Sequence, residues 1–446
     1  MKTNLSAASL LSLILLSNLC FLHHTQAQTL ATIYLAVRTD GIAGTGTLSD
    51  PFNASTAAKY DHLLATHPRN TVYRYAPGTY KTTGWYYRVR QSAGTNCKHY
   101  GAGIGQTIIQ LVGANTTTND GVIFGSDYDV TADGFEIQNM TLDCNPTGNP
   151  NFVHGLGSVT AINTQGSNLL IKSVKVINFG TAIAGSECFA VFIYPGSSLA
   201  WRSFNNVQVE NCIFTSPAHG NKDGLTCVFI GQSAGVQSTN TSIVNSSFIN
   251  LRSDFLYSHA FYAQRCTGNK VQGCEVGTYV EPAEVILTPW LVQNNTFTDV
   301  SEGATICFHS GGRVQELRFL NNLVILSNTF GNWSTVVDVI EPNDPPIPNN
   351  FPEVVSLIIQ GNSIQPTSAT PAYNPYYVGF DIQSPNRRCW IGNLQITGNK
   401  FASAAPQNNE QILVSNSPQF LGSSSISANF FGNGSPVTVN LQPVLW

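Results

Sequence analysis

The chain has 446 residues, of which 42% are hydrophobic and 10% charged, so it can bury a sizeable core and is neither a disordered tail nor a coiled coil. The formal net charge of −4 comes from 21 basic and 25 acidic residues without a run of either sign, which excludes the electrostatic footprint of a nucleic-acid-binding protein. The 38 glycines and 22 prolines, against 2 methionines, favour strands and turns over helices.

Residues 1–27 have the pattern of a secretory signal peptide. Lys2 gives a positive start, residues 10–22 are almost purely apolar, and small residues precede a cleavage site after Ala27. The apolar stretch has 13 residues, whereas a membrane-spanning helix needs about 20, so a signal peptide is favoured over a membrane anchor. We expect a mature chain that is secreted or periplasmic and has no membrane span.

Residues 28–120 are predicted to form an N-terminal cap and the first coils of the fold. A helix is expected within residues 53–67, because apolar residues recur there at helical spacing before Pro68. Asn53 or Ser55 is the expected N-cap. The predicted buried face consists of Ala57, Tyr60, Leu63 and Leu64. Such a helix would cover the exposed strand edges at the end of a stack.

Residues 121–446 contain a repeated phrase of an apolar residue, a small residue or Asn two positions later, and a second apolar residue three positions after that. The middle position is taken by Asn139, Ser173, Asn211, Asn245, Gly273, Asn294, Asn321, Gly361, Gly398 and Ala428. Successive positions are 21 to 40 residues apart, as in solenoid coils with loops of variable length. Neither a leucine-rich repeat nor a propeller has this pattern. The repeat therefore predicts a parallel β-solenoid with a continuous apolar core.

Each phrase is interpreted as two short strands joined by a bend at the small residue or Asn. Asn tolerates the left-handed backbone of such a bend, and its amide can bond an Asn one coil away at the strand spacing of about 4.8 Å. Phe214, Phe248 and Phe297 share one offset from the bend. They are predicted to form an aromatic ladder inside the solenoid.

Nine cysteines remain after removal of Cys20, and their spacing does not indicate a disulfide framework. Cys266 and Cys274 are close enough in sequence for one bridge, and most others lie in apolar strand patterns, where a free Cys is a small buried hydrophobe. There is no CxxC motif and no Cys/His cluster, so no metal site is predicted. The sequence identifies no cofactor.

Several motifs together resemble the pectate-lyase superfamily. They are Asp40-Gly41, the GTGT and DPF segments at 44–47 and 50–52, PGTY at 77–80, GAGIGQTII at 101–109, and the Asn-marked coils. The resemblance covers nearly the whole mature chain. It implies an all-β, right-handed parallel β-helix with an N-terminal capping helix. Because that superfamily includes lyases, hydrolases, esterases, epimerases, tailspikes and adhesins, it does not imply one activity.

The motifs expected of a polygalacturonase-like hydrolase in this superfamily are incomplete. Asn221-Lys222-Asp223-Gly224 matches the first of them only in part, and neither an Asp-Asp pair nor a Gly-His-Gly sequence occurs. The roles of that hydrolase are therefore not carried over to this chain.

Counting from the bends predicts a site between residues 187 and 313. Four ionisable groups lie 12 to 15 residues after their bends and are expected on one face of neighbouring coils as catalytic candidates: Glu187, Asp223, His259 and His309. In particular, Asp223 is expected beside His259, where a carboxylate would raise the pKa of the imidazole and orient it as an acid or base. The candidate substrate-binding residues are Lys222, Arg252, Tyr257 and Arg313.

Two functions remain open at this point. The first is a secreted polysaccharide-active enzyme, either a lyase or a glycoside hydrolase, that binds a carbohydrate chain, acidic ones included, along the groove of the β-helix. Lys222 or Arg252 would then neutralise a uronate. The second is a non-catalytic β-helix adhesin or carbohydrate-binding surface protein, which the lack of a complete catalytic motif favours.

Overall fold

The computed structural model describes residues 29–84, 94–113, 120–125, 132–145, 148–149, 158–181, 189–193, 204–215, 225–231, 238–251, 258–280, 285–286, 289–307, 313–326, 335–341, 353–366, 376–382, 390–401, 411–414, 419–420, 424–431 and 433–441. The predicted signal peptide lies outside these residues. The boundary predicted at residue 120 stays a prediction.

The described residues contain one α-helix, α1 (Ala57–Thr66), and 37 strands numbered in chain order. Strands β1 to β19 span Ala31–Ala36, Phe52–Asn53, Thr71–Tyr75, Gly78–Thr82, Lys98–Tyr100, Thr107–Leu111, Asp120–Gly125, Glu136–Asp143, Ser158–Thr164, Leu169–Ile177, Gly180–Thr181, Val191–Ile193, Asn205–Glu210, Ile213–Thr215, Leu225–Ile230, Thr239–Val244, Ser247–Ile249, Ser258–Tyr262 and Arg265–Thr267. Strands β20 to β37 span Lys270–Val280, Val285–Ile286, Trp290–Gln293, Thr296–Cys307, Arg313–Val314, Leu317–Leu320, Leu323–Leu326, Thr335–Glu341, Glu353–Gln360, Ser363–Pro366, Tyr376–Ile382, Trp390–Thr397, Lys400–Phe401, Gln411–Val414, Gln419–Phe420, Ser424–Ser427, Phe430–Phe431 and Thr438–Leu441.

The strands stack into three parallel sheets, and the third begins one coil later than the other two. The first contains β3, β5, β8, β10, β13, β16, β19, β22, β25, β28, β31 and β35. The second contains β4, β6, β8, β10, β14, β17, β20, β23, β26, β29, β32 and β36. The third contains β7, β9, β12, β15, β18, β20, β23, β27, β30, β33 and β37. The predicted right-handed parallel β-helix is confirmed.

The bend between the first and second sheets is the repeated phrase of the sequence. All ten predicted bend residues have a left-handed backbone, with φ between 50° and 68°. Nine of them stack in one column. The tenth, Gly273, belongs to a second column with Asn250 and Asp299, because β17 and β23 pair with β20 on either side of it. The first column has Gly268, with φ of 69°, in that coil instead.

A buried asparagine ladder runs one residue after the bend, and not at the bend as predicted. Its members are Asn269, Asn295, Asn322, Asn362, Asn399 and Asn429, each at most 5% exposed. Each Oδ1 accepts from the backbone N–H of the ladder residue in the preceding coil, Ser246 being the first donor, at 2.8 to 3.2 Å. Each Nδ2 donates to a backbone carbonyl of the preceding coil. The ladder therefore ties successive coils together inside the core.

The predicted aromatic ladder exists in part. Phe214, Phe248 and Phe297 are all fully buried in the second sheet, and the rings of Phe214 and Phe248 stack 5.0 Å apart. Val271 lies between Phe248 and Phe297 in the column, so the ladder is interrupted there. Phe261 of the third sheet fills this gap, with its ring 5.2 Å from Phe248 and 6.2 Å from Phe297.

Helix α1 covers the N-terminal end of the stack, as predicted. Its N-cap is Thr56, whose hydroxyl accepts from the Lys59 N–H at 3.3 Å, so neither Asn53 nor Ser55 has that role. Tyr60 is buried, and the carboxylate of Asp61 accepts three hydrogen bonds from Thr82 and Thr83 at 2.6 to 3.1 Å. Leu63 and Leu64 are also buried, whereas Ala57 is only half-buried. Within the described residues no helix is long and apolar enough to cross a membrane.

Cys266 is a free buried thiol, so the bridge to Cys274 that the sequence allowed does not form. Its sulfur donates to the carbonyl of Ala263 at 3.4 Å, and burial raises its pKa. This thiol fills space in the core, as predicted for the cysteines in apolar strand patterns.

Candidate functional site

One predicted site residue, His259, has a side chain within the described residues. The backbone of Arg313 lies in β24, but its side chain is not among those that the structure describes. The other predicted residues lie outside the described residues: Glu187, Asp223, His309, Lys222, Arg252 and Tyr257. Their roles stay predictions.

His259 lies in β18 of the third sheet and is 9% exposed. Its Nδ1 is 3.1 Å from the Thr226 hydroxyl, and its ring stacks on that of Tyr279 with 4.1 Å between centroids and 6° between planes. Burial lowers the pKa of His259 to about 3, because the charged imidazolium is poorly solvated there. The sequence-based prediction was a raised pKa for His259. The described surroundings instead favour a neutral imidazole that shapes the site over one that exchanges protons.

The strand register shows which residues lie side by side on the third sheet. We describe residues that pair across neighbouring coils as lying at one level. The residue opposite His259 in the preceding coil is Thr226, not Asp223. In the following coils the same level is occupied by Val276 and then Glu302. Counting from the bends predicts His309, and not Glu302, in that coil. The count is too long because β20 and β23 run without interruption from the second sheet into the third, so fewer residues separate the bend from this level.

An aromatic row runs along the third sheet three residues after this level. Phe192, Phe229 and Tyr262 are paired across three coils, and their rings stack at 5.4 and 4.6 Å. Tyr279 continues the row, because Phe261 and Thr278 pair directly before Tyr262 and Tyr279. Phe192, Phe229 and Tyr279 are half-buried and lie on an outer face of the solenoid, whereas Tyr262 is only 2% exposed because Trp290 packs on its ring.

The row ends at two acidic residues, Glu302 and Asp338. Thr305 and Asp338 follow Tyr279 at the same level in the next two coils. The Thr305 hydroxyl donates a hydrogen bond to the Glu302 carboxylate. Burial, and after it the nearby charge of Asp338, raise the pKa of Glu302 to about 8. The raised pKa makes Glu302 the candidate proton donor of the pair.

The contacts of His259 with Tyr279 and of Glu302 with Thr305 place both levels on one face of the third sheet. We name this face the aromatic–acidic strip. It consists of Thr226, His259, Val276 and Glu302 at the first level, and of Phe192, Phe229, Tyr262, Tyr279, Thr305 and Asp338 at the second. Because these rings stack on one another, the row turns ring edges outward, which can make apolar contacts with the C–H groups of a sugar, and the carboxyl pair at its end can transfer protons.

Neither Glu302 nor Asp338 is among the site residues predicted from the sequence. One signal could have found Glu302. Val276-Gly277-Thr278 and Glu302-Gly303-Ala304 carry a glycine at one level, where a side chain would collide with core phenylalanines: a Cβ on Gly277 would lie 2.3 Å from Phe297. Aligning the coils on this glycine sets Glu302 level with Val276. In the described part of the chain, no group of three or more His, Cys, Asp or Glu residues is arranged to hold a metal ion.

No protein-family model matches this sequence, and no curated protein does. Several solved structures have a similar backbone fold. The A-module of a mannuronan C-5 epimerase from Azotobacter vinelandii is 16% identical, with a TM-score of 0.43, over 85% of this chain and 94% of that one. An endo-xylogalacturonan hydrolase from Aspergillus tubingensis is 12% identical, with a TM-score of 0.36, over 90% and 100%. A surface adhesin of Streptococcus pneumoniae is 13% identical, with a TM-score of 0.35, over 89% and 90%. Likenesses this distant do not bear on the activity of this chain.

Proposed function

We propose that this β-helix binds a polysaccharide lengthwise on the aromatic–acidic strip and hydrolyses a glycosidic bond at its acidic end. The observation that carries the proposal is the position of Glu302 and Asp338 at the end of the ring row, where burial raises the pKa of Glu302. A row of stacked rings followed by a carboxyl pair suits a long ligand that crosses several coils.

In the proposed step, Glu302 donates its proton to the glycosidic oxygen as the bond to the anomeric carbon breaks. Burial, and after it the charge of Asp338, raise the pKa of Glu302, and Asp338 as a carboxylate takes a proton from the water that attacks the anomeric carbon. Thr305 holds the Glu302 carboxyl group by its hydrogen bond. The two carboxyl groups would thus divide the roles of acid and base.

Activity is tested by incubating the mature chain with neutral and acidic polysaccharides and measuring reducing ends and unsaturated ends. Hydrolysis gives reducing ends only, whereas a lyase gives both. Glu302→Gln and Asp338→Asn should each lower kcat by at least about 100-fold without changing the melting temperature. The matched control is Glu316→Gln, which removes a carboxylate paired with Arg318 on the first sheet.

Full turnover by Glu302→Gln would contradict the proposal. Saccharide binding by the wild-type chain without turnover of any polysaccharide would instead support the non-catalytic alternative. Loss of activity in Asp223→Asn, with Glu302→Gln fully active, would move the site to the residues predicted from the sequence.

The aromatic row is tested separately. Tyr279→Ala should weaken saccharide binding, because it removes the ring next to the acidic pair and the stacking partner of His259. Tyr34→Ala, on the half-buried part of β1, is the control that should leave binding unchanged. The signal-peptide pattern supports action outside the cytoplasm, and N-terminal sequencing of exported protein should find Gln28 first.

A further inference from the structure

We propose that Asn245 and Asn294 are N-glycosylation sites of the exported chain. Each begins an Asn-X-Ser/Thr motif, Asn245-Ser246-Ser247 and Asn294-Asn295-Thr296, which is the acceptor sequence for N-glycans in the secretory pathway. The predicted signal peptide would bring the chain into that pathway. The proposal does not rest on the proposed function.

Both asparagines present their side chains to solvent. They are exposed bend residues between the first and second sheets, with φ of 50° and 56°. Within the described residues neither amide group makes a hydrogen bond that a glycan would break. In the transfer, Nδ2 forms a bond to the anomeric carbon of an oligosaccharide carried on a lipid pyrophosphate. The pyrophosphate leaves with the electrons of the broken C–O bond, and the amide gives up one proton.

The bend column has room for a glycan at each position. Gly268 is the bend residue of the coil between the two asparagines, which are therefore two strand spacings, about 9.6 Å, apart. The Oδ1 of Asn245 lies over this glycine, where a Cβ would collide with it. Because the bend joins the first and second sheets and the aromatic–acidic strip is on the third, glycans here leave the strip open.

The fold accounts for the asparagines but not for the hydroxyl residues two positions later. Ser247 and Thr296 share a half-buried column of the second sheet with Ile213, Lys270 and Leu323 of other coils, so the position accepts apolar and charged side chains as well. Within the described residues neither the Ser247 nor the Thr296 hydroxyl makes a hydrogen bond. What the two hydroxyls share is their place in the acceptor motif.

Two other asparagines separate the motif from exposure. Asn321 is an exposed bend residue with φ of 52°, and its Oδ1 lies over Gly361 in the same way, but Leu323 stands where the motif needs a hydroxyl. Asn53 begins an acceptor motif but is 4% exposed, and its Nδ2 donates to the Ile42 carbonyl at 3.0 Å. We expect neither to carry a glycan in the folded chain.

The experiment exports residues 28–446 behind a host signal peptide through a eukaryotic secretory pathway. A peptide N-glycosidase in heavy-oxygen water then converts each glycosylated asparagine to labelled aspartate, which mass spectrometry of the peptides locates. Most molecules should carry label at Asn245 and Asn294, and none at Asn321 or Asn53. Ser247→Ala and Thr296→Val should each remove the label at their own site only, with the melting temperature unchanged.

A gain of modification gives the second arm. Leu323→Thr completes the motif at Asn321 and should add a glycan there, whereas the matched control Leu323→Val should not. Unlabelled Asn245 and Asn294 in the exported chain, or label that persists in Ser247→Ala and Thr296→Val, would overturn the proposal. Label at Asn53 would overturn the argument from exposure.

Discussion

The buried asparagine ladder allows a direct comparison between two neighbouring asparagines with different roles. Asn322 is 1% exposed, and its side chain accepts from the Asn295 N–H at 2.9 Å and donates to the Val292 carbonyl at 3.1 Å. Asn321, one residue earlier, is exposed and has φ of 52° at the bend. The first asparagine should therefore matter for its amide, and the second for its backbone conformation.

Asn322→Leu should be strongly destabilising. It leaves the Asn295 N–H and the Val292 carbonyl without this partner in the core, and a buried group that loses its hydrogen bond costs about 1–3 kcal/mol. The expected loss in the free energy of unfolding is therefore about 2–6 kcal/mol. Asn321→Gly should change it by less than about 1 kcal/mol, because glycine adopts positive φ without steric cost.

Urea unfolding followed by circular dichroism measures both changes. Because stacked coils can unfold in parts, hydrogen exchange at the amides of residues 290–298 and 317–326 should be measured as well. Faster exchange in these coils is expected for Asn322→Leu only. A loss below about 1 kcal/mol for that variant, or equal losses at the two positions, would refute the assigned division of roles.

Three further predictions concern stability. Phe248→Ala should cost about 3–5 kcal/mol in urea unfolding, because the ring is fully buried between Phe214 and Phe261. Burial lowers the pKa of His99 and His259 to about 3, so the folded state resists protonation. Stability should be complete above pH 6.5 and fall by about 1.4 kcal/mol per histidine and pH unit below it, a slope that His99→Phe should reduce in pH-dependent unfolding. Asp61→Asn should lower the melting temperature and speed proteolysis near helix α1, because the carboxylate accepts three hydrogen bonds.

The sequence determined where the coils bend. All ten residues chosen from the repeat have a left-handed backbone, because this conformation restricts the residue type at its own position and so leaves a local signal. The solenoid, the capping helix and the burial of Phe214, Phe248 and Phe297 follow from the same local patterns.

The level of each residue within the stack was decided only by the tertiary structure. Coil length varies, so equal distances from the bend do not give equal heights on the third sheet: Glu302, 8 residues after Asn294, is level with His259, 14 residues after Asn245. The ladder position at Asn295, one residue after the predicted Asn294, likewise depends on which side chain points into the core. The low pKa of His259 and the raised pKa of Glu302 arise from burial and from charges in other coils. Such contacts join residues far apart in the chain, and no local pattern records them.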